Sequence, residues 1–179
     1  MYFNEDELFT IDRKVHVMFK WIRENIKNDS IILELGSGAT TGELTKHYKV
    51  ISIENDYQWV NRYSNATYIH APLKEYVGNA PQGFPQPNNG WYDTMFIEGN
   101  LPETYDLIIV DGPVGAGPDA AGRGGFYKFL DLFNTNVPMI FHDTNRPVES
   151  TLVKMVSEKV GRKYTDLENV GDIGTAVII

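Results

Sequence analysis

Apolar positions recur along the chain in two rhythms, and the switch between them predicts most of the fold. Ile11, Val15, Met18, Phe19, Ile22 and Ile26 fall three and four apart with charges opposite, which predicts an amphipathic helix over 11–27. After Asn28-Asp29-Ser30 the rhythm changes. Ile31–Leu35 is continuously apolar except for Glu34, the pattern of a strand buried on both faces. Gly36–Gly42 then breaks it, and "GELTKHY" returns to helical spacing. "VISIEND" reads as a second strand, "YQWVNRY" as a short helix, and "TYIHAPL" as a third strand stopped by Pro72. Leu107–Val110 is a fourth, fully apolar run, "FYKFLDLF" an amphipathic helix and "VPMIFHD" a fifth strand. Pro147 stands where a first helical turn tolerates it, opening "VESTLVKMVSEKV", and "YTDLENV" and "GTAVII" close the series as two further strands.

Strands alternating with helices predict an α/β fold: a doubly wound, mostly parallel, seven-stranded Rossmann-like sheet with helices on both faces and the last strand antiparallel. At 179 residues, with no internal repeat, the expectation is one domain over 1–179. Two segments leave the alternation. Residues 78–104 hold Pro81, Pro85, Pro87 and Pro102 among several Gly and Asn and read as an excursion from the sheet; 112–125 holds six glycines and reads as an irregular loop.

Composition narrows the partners. Cysteine is absent, which excludes disulfides and thiolate metal sites and leaves histidine and carboxylate as ligands. A formal net charge of −8 with scattered basic residues is wrong for gripping phosphates, so no nucleic-acid partner is expected. No apolar run approaches the ~20 residues of a membrane span, and "MYFNEDELFT" is acidic where a leader would be basic. The expectation is a soluble, cytoplasmic protein with a small-molecule acceptor and no membrane contact.

In such a sheet, ligands bind beyond the carboxyl ends of the strands, where Gly36, Ser37, Gly38, Thr40 and Thr41 form the first strand-to-helix loop. Glu54 ends the next strand, placed to accept both hydroxyl hydrogens of an adenosine ribose, with Asn55 beside it and His70 after the third strand where an adenine edge would lie. Two features separate the cofactor classes. The glycines run G-S-G-A-T-T-G, with the third one position late for a dinucleotide fingerprint, and Glu34 would repel a pyrophosphate. A cationic ligand without phosphate, S-adenosylmethionine, suits a carboxylate there, and Glu34 would orient its amino-acid end.

"LELGSGATTG" followed by "ISIEND" and later "LIIVDGP" resembles the cofactor half of class I S-adenosylmethionine-dependent methyltransferases, with element order agreeing over nearly the whole chain. "YDLIIVDGPVGAGPDAAGRGGFY" and "MIFHDTNRPVE" resemble a narrower branch, that of glucuronoxylan 4-O-methyltransferases. The resemblance implies S-adenosylmethionine as cofactor and O-methylation of a small polar or saccharide-like acceptor. Competing readings are a non-catalytic S-adenosylmethionine-binding module and, disfavoured by Glu34 and the glycine spacing, a nicotinamide-dependent oxidoreductase.

Methyl transfer to a hydroxyl needs help removing a proton, and Asp111, His142 and Asp143 lie at adjacent strand ends. Either Asp111 or Asp143 is the general base, with His142 or Arg146 orienting the acceptor, or Asp111, His142 and Asp143 hold a divalent metal that acidifies the hydroxyl. Strand alternation points His142 and Asp143 to opposite faces unless the strand has ended. Structural roles compete: Asp143 as cap of the helix opening at Pro147, and Arg146 paired with Glu149 on the surface. Arg123, in the glycine-rich loop, is placed to cover an acceptor bearing a carboxylate or many hydroxyls, and Trp91 and Tyr92 to stack on it.

Overall fold

Ile32, Leu33 and Leu35 are wholly buried, and their alternation sorts the core into two layers. Ile32 joins Leu107, Ile109, Ile140 and Val177 on one face of the sheet, under Met18, Phe19 and Ile22. Leu33 and Leu35 join Ile108, Val110, Met139, Phe141 and Ile178 on the other, under Phe126, Leu152, Val153 and Val156. Each large apolar side chain removed from water in this way contributes roughly 1.5–3 kcal/mol. The structure is a computed structural model describing residues 16–76, 80–86, 88–115, 121–167 and 174–179.

The expected sheet is present. Strands β1 (Ile31–Leu35), β2 (Lys49–Glu54), β3 (Ala66–His70), β6 (Leu107–Val110), β7 (Met139–His142), β8 (Tyr164–Asp166) and β9 (Thr175–Ile178) stand in the order β3-β2-β1-β6-β7-β9-β8. Pairing is parallel from β3 through β7, and β9 runs antiparallel between β7 and β8. Helix α1 (His16–Asn25) realises the first predicted helix, whose positions 11–15 lie outside the described residues. Helix α2 (Ala39–Leu44) starts three residues before the predicted "GELTKHY", inside the stretch expected to be loop, and ends four before its end. Helix α5 (Pro147–Val160) opens on its proline and ends at Gly161 in the left-handed conformation.

Three further expectations change. "YQWVNRY" forms turns rather than a helix. The Asp56 side chain accepts from Gln58 N at 2.9 Å, Val60 N closes one turn on Asp56 O at 3.3 Å, and Asn61 then adopts φ +62°, which ends helical propagation. The proline-rich excursion, 78–104, contains regular structure: its β5 (Gly90–Tyr92) pairs antiparallel with β4 (Leu73–Glu75) just before it, and the single-turn helix α3 (Thr94–Ile97) follows. "FYKFLDLF" divides into helix α4 (Gly125–Lys128) and a 3₁₀ turn at Leu130–Leu132. Among the described residues no helix is long and apolar enough to cross a membrane.

Candidate active site

The central strands β1 and β6 deliver their following loops side by side. Asp111 N donates to Leu35 O at 3.0 Å and Gly36 N to Ile53 O at 2.8 Å, so the strand ladder extends into both loops. Gly36 has φ +92°, and a Cβ on it would lie 2.8 Å from Gly112 Cα. Glycine at 36 is therefore fixed by backbone packed against backbone. Gly38 is extended, and its nearest neighbour to a Cβ would be Thr40 Oγ1 at 3.8 Å.

Glu34 lies beneath this loop, 1% exposed. Its Oε2 accepts from Thr41 Oγ1 at 2.7 Å and its Oε1 from Thr40 Oγ1 at 3.4 Å. Thr41 Oγ1 in turn accepts from Gly38 N at 2.9 Å and lies 3.2 Å from Ser37 Oγ, so Glu34 anchors the loop through a threonine. Burial pushes its carboxyl up to about 8; the hydroxyls of Thr41, Ser52 and Thr40 oppose that rise and the charge of Asp111 adds to it. Glu54 holds the loop from the other side. Its Oε2 accepts from Ser37 N and its Oε1 from Asp56 N, each at 2.6 Å, leaving one lone pair on each oxygen. His70 Nε2 lies 3.2 Å from Asn55 O, and its ring meets Tyr57 edge-on at 5.6 Å.

At the other end β7 terminates at His142, and Asp143 adopts φ +61°. The turn cancels strand alternation, so both side chains reach toward Asp111. His142 Nδ1 is 3.1 Å from Asp111 Oδ1 and 3.8 Å from Asp143 Oδ1. Arg123 is 3% exposed, and its Nη2 lies 2.9 Å from Asp143 Oδ2 and 3.2 Å from Asp111 Oδ1. Its Nη1 donates to His142 O at 2.9 Å and its Nε to Pro113 O at 3.3 Å. Arg146 Nη1 meets Asp143 Oδ2 at 2.8 Å. Glu149, 1% exposed, stands 3.7 Å from Arg123 Nε through Oε1.

The fields here are strong. Burial alone would raise the Asp111 carboxyl, but the His142 hydrogen bond and the charges of Arg123, His142 and Arg146 hold it below its ordinary value. Burial would lower His142, but the hydrogen bond and charge of Asp111, with Asp143, raise it. Burial raises Glu149.

Asp111, His142 and Asp143 do bring ligand atoms within 4.8 Å of one another, the trio expected for a metal. The donor set is already occupied by protein cations, since Arg123 bridges both carboxylates and Arg146 takes Asp143 as well. A divalent ion would face two fixed guanidiniums, so these residues do not fit one.

A cavity of about 620 Å³, in the range typical of small-molecule sites, roughly 300–1,000 Å³, joins the two ends. Of the residues expected from sequence, Gly36, Ser37, Glu54, Asn55, Tyr92, Asp111, Arg123, Asp143 and Arg146 line it. Glu34, Gly38, Thr40, Thr41, His70, His142 and Trp91 stand outside its lining. Trp91 is a core residue, 1% exposed and stacked on Phe129 at 5.5 Å, so it offers no platform to an acceptor. Arg123 lies under the cavity as the hub of the acidic cluster rather than over it as part of a cover. Asp143 spends its carboxylate on Arg123 and Arg146 and does not cap α5, and Arg146 pairs with Asp143 instead of Glu149. Sequence reasoning missed Tyr57, Trp59 and Leu73 in the cavity wall. The aromatic pair directly after the acidic strand end was the available signal.

The fold has counterparts among solved structures. A SAM dependent methyltransferase from Aquifex aeolicus aligns with a TM-score of 0.55 at 14% identity, covering 99% of this chain and 98% of that one. A putative methyltransferase from Pseudomonas syringae aligns at 0.54 with 10% identity, over 95% and 97%. The E. cuniculi Mtq2-Trm112 complex, described as responsible for methylation of the eRF1 translation termination factor, aligns at 0.52 with 16% identity, over 99% and 96%. At these identities the likeness is one of fold. No protein-family model matches the chain. No curated protein matches it.

Proposed function

We propose that the chain is an S-adenosylmethionine-dependent methyltransferase acting without a metal on the oxygen of a small polar acceptor. The observation that carries this reading is the single cavity with Glu54 at one end, Asp111 at the other, and the Gly36–Gly112 contact between them. Glu54 keeps one lone pair on each oxygen for the two ribose hydroxyls, while the Ser37 and Asp56 amides fix its plane. The fold, shared with methyltransferase structures, supports the same reading.

S-adenosylmethionine held there would supply an electrophilic methyl carbon, whose bond to sulfur would break, its electron pair left on sulfur, as the acceptor oxygen bonded to it; the acceptor proton would pass to Asp111. A carboxylate held below its usual range is a weak base toward an alcohol, but the attacking oxygen becomes strongly acidic as the new bond forms, so a late transfer to Asp111 suffices. His142 fixes Asp111 through Nδ1, and Arg146, 35% exposed, is the cation available to a carboxylate or hydroxyl on the acceptor. The narrower resemblance to the glucuronoxylan 4-O-methyltransferase branch rests on Asp111, Gly112, Pro113, Arg123, His142, Asp143, Arg146 and Glu149. The solved structures lend that branch no support, and the acceptor is proposed by chemistry alone.

Calorimetric titration with S-adenosylhomocysteine and with NADH tests the cofactor class: the first is expected to bind and the second not, and the reverse overturns the reading. Asp111→Asn is expected to bind S-adenosylhomocysteine as the parent does and to lose on the order of 10²–10⁴ in rate. The rate is read as S-adenosylhomocysteine release over a screen of sugars, uronic acids and phenols. EDTA is expected to leave the parental rate unchanged. Activity lost with EDTA and restored by a divalent ion would refute the metal-free step.

A further inference from the structure

Tyr57, Leu73 and Val114 are three of the six large apolar side chains that stand exposed among the described residues, and all three line the cavity. Tyr57 and Leu73 follow β2 and β3 and so belong to the Glu54 end. Val114, 57% exposed, stands at the other end, three residues past Asp111. It is held in the open. Its carbonyl oxygen accepts from Ala121 N at 3.1 Å and from Gly122 N at 3.4 Å, so the chain closes on this residue while its side chain stays in the cavity wall. Beside it is a cation. A Cβ on Gly115 would lie 3.2 Å from Arg146 Nη1, which seats the guanidinium against the backbone next to Val114. Arg146 is partly exposed and gives Nη1 to Asp143, leaving further N–H donors of its guanidinium for a ligand. Contacts of 2.8, 2.9 and 3.2 Å run from Arg146 Nη1 through Asp143 Oδ2 and Arg123 Nη2 to Asp111 Oδ1, so cation and base stand within the span of one substituted ring.

Resting on the methyltransferase reading above, we propose that Val114 and Arg146 seat the acceptor and that it is a hydroxyaryl carboxylate, with its ring on Val114, its carboxylate on Arg146 and its hydroxyl at Asp111. A sugar carries hydroxyls around most of its ring, each of which must be paired when it leaves water. The charged side chains at this end are engaged with one another, Asp143 with Arg123 and Arg146, and Asp111 with His142 and Arg123. One apolar face, one anion and one hydroxyl match what is left. A phenolic hydroxyl also ionises near pH ~10, far below an aliphatic one, which suits a carboxylate held below its usual range. Tyr92, expected from sequence to stack on the acceptor, is buried in the wall, so the apolar platform is Val114.

The test measures S-adenosylhomocysteine release by the parent protein with the hydroxybenzoate isomers, the matching hydroxybenzamides, glucuronate and galacturonate. At least one hydroxybenzoate is expected to show a kcat/KM about tenfold or more above its amide and above both uronic acids. A uronic acid as the better acceptor, an acid no better than its amide, or no release with any hydroxybenzoate overturns the proposed acceptor, while calorimetric binding of S-adenosylhomocysteine leaves the cofactor reading intact. Val114→Ser is expected to raise KM for the preferred hydroxybenzoate about fivefold, with kcat and S-adenosylhomocysteine affinity within about twofold of the parent. An unchanged KM removes Val114 from the seat and overturns the proposal. Failure of the parent to bind S-adenosylhomocysteine overturns the cofactor reading and this acceptor with it.

Discussion

Replacing Glu34 by glutamine removes one ionisable proton from beneath the glycine loop and leaves the shape nearly unchanged. Burial pushes this carboxyl from 4.5 to about 8, so between those values the folded protein holds a proton that the unfolded chain has released. Stability therefore falls as pH rises through that window, by about 1.4 kcal/mol per pH unit. From pH 4.5 to pH 7 the accumulated penalty is roughly 3 kcal/mol, a large share of the 5–15 kcal/mol typical of a domain. Glu34→Gln carries no such penalty. The extra N–H of the amide adds an offset that does not vary with pH, so the difference between the proteins isolates Glu34 even though Asp111, His142 and Glu149 also titrate. The assay is urea denaturation of both proteins at pH 5, 6, 7 and 8, with stability taken from midpoints at constant m. The variant's advantage is expected to grow by about 1.4 kcal/mol per unit through the middle of the series and to flatten toward pH 8, where Glu34 ionises in the folded protein. Parallel curves would show that Glu34 is already ionised in the folded state at pH 5 and would refute the reasoning.

Glu54→Ala should weaken S-adenosylhomocysteine binding by roughly 1.5–3 kcal/mol in calorimetry, since the carboxylate proposed to accept both ribose hydroxyls, which also clamps Ser37 N, is lost; unchanged affinity removes Glu54 from the site. Gly36→Ala should cost at least about 2 kcal/mol in denaturant titration, because φ +92° and a Cβ 2.8 Å from Gly112 Cα leave no relaxed conformation, whereas Gly38→Ala should lie within roughly 0.5 kcal/mol of the parent. Equal costs at the two positions would contradict the loop packing described above.

The central strands of the sheet were legible because their apolar runs are continuous or nearly so; β8, Tyr-Thr-Asp at the sheet edge, has no such run and was readable only from its place beside the apolar β9. The β4–β5 ribbon was not, since "LKE" and "GWY" are three residues each and their pairing joins positions 15 to 19 apart in sequence with no local signature. "YQWVNRY" has the composition of a helix, and a single left-handed Asn61 decided otherwise. In the site, the strand-end carboxylates were readable from position alone. Arg123 was not: its glycine-rich surroundings look like exposed loop, and only the convergence of Asp111, Asp143 and Glu149 from separate elements explains why a guanidinium is drawn inside. Trp91 misled in the opposite direction, because an aromatic flanking an excursion looks available until Phe129 and Phe133 are seen to cover it.

The arrangement of charge around Asp111 bears on why a balanced cluster suits this reaction better than an isolated base. Two carboxylates, Asp111 and Asp143, face two guanidiniums, Arg123 and Arg146, within 3.2 Å contacts. In the proposed step S-adenosylmethionine would bring one positive charge into the cavity and lose it with its methyl group, while the acceptor's proton would add one to Asp111. The enclosed charge is the same before and after transfer; it moves only from sulfur to the carboxyl across the cavity. Creating or destroying a net charge in a low-dielectric site is costly, whereas shifting it between fixed partners is not. A divalent ion would add two charges to a cluster already in balance. Arg123, tethered by two carbonyls and two carboxylates, supplies the positive field with no reorganisation during the step.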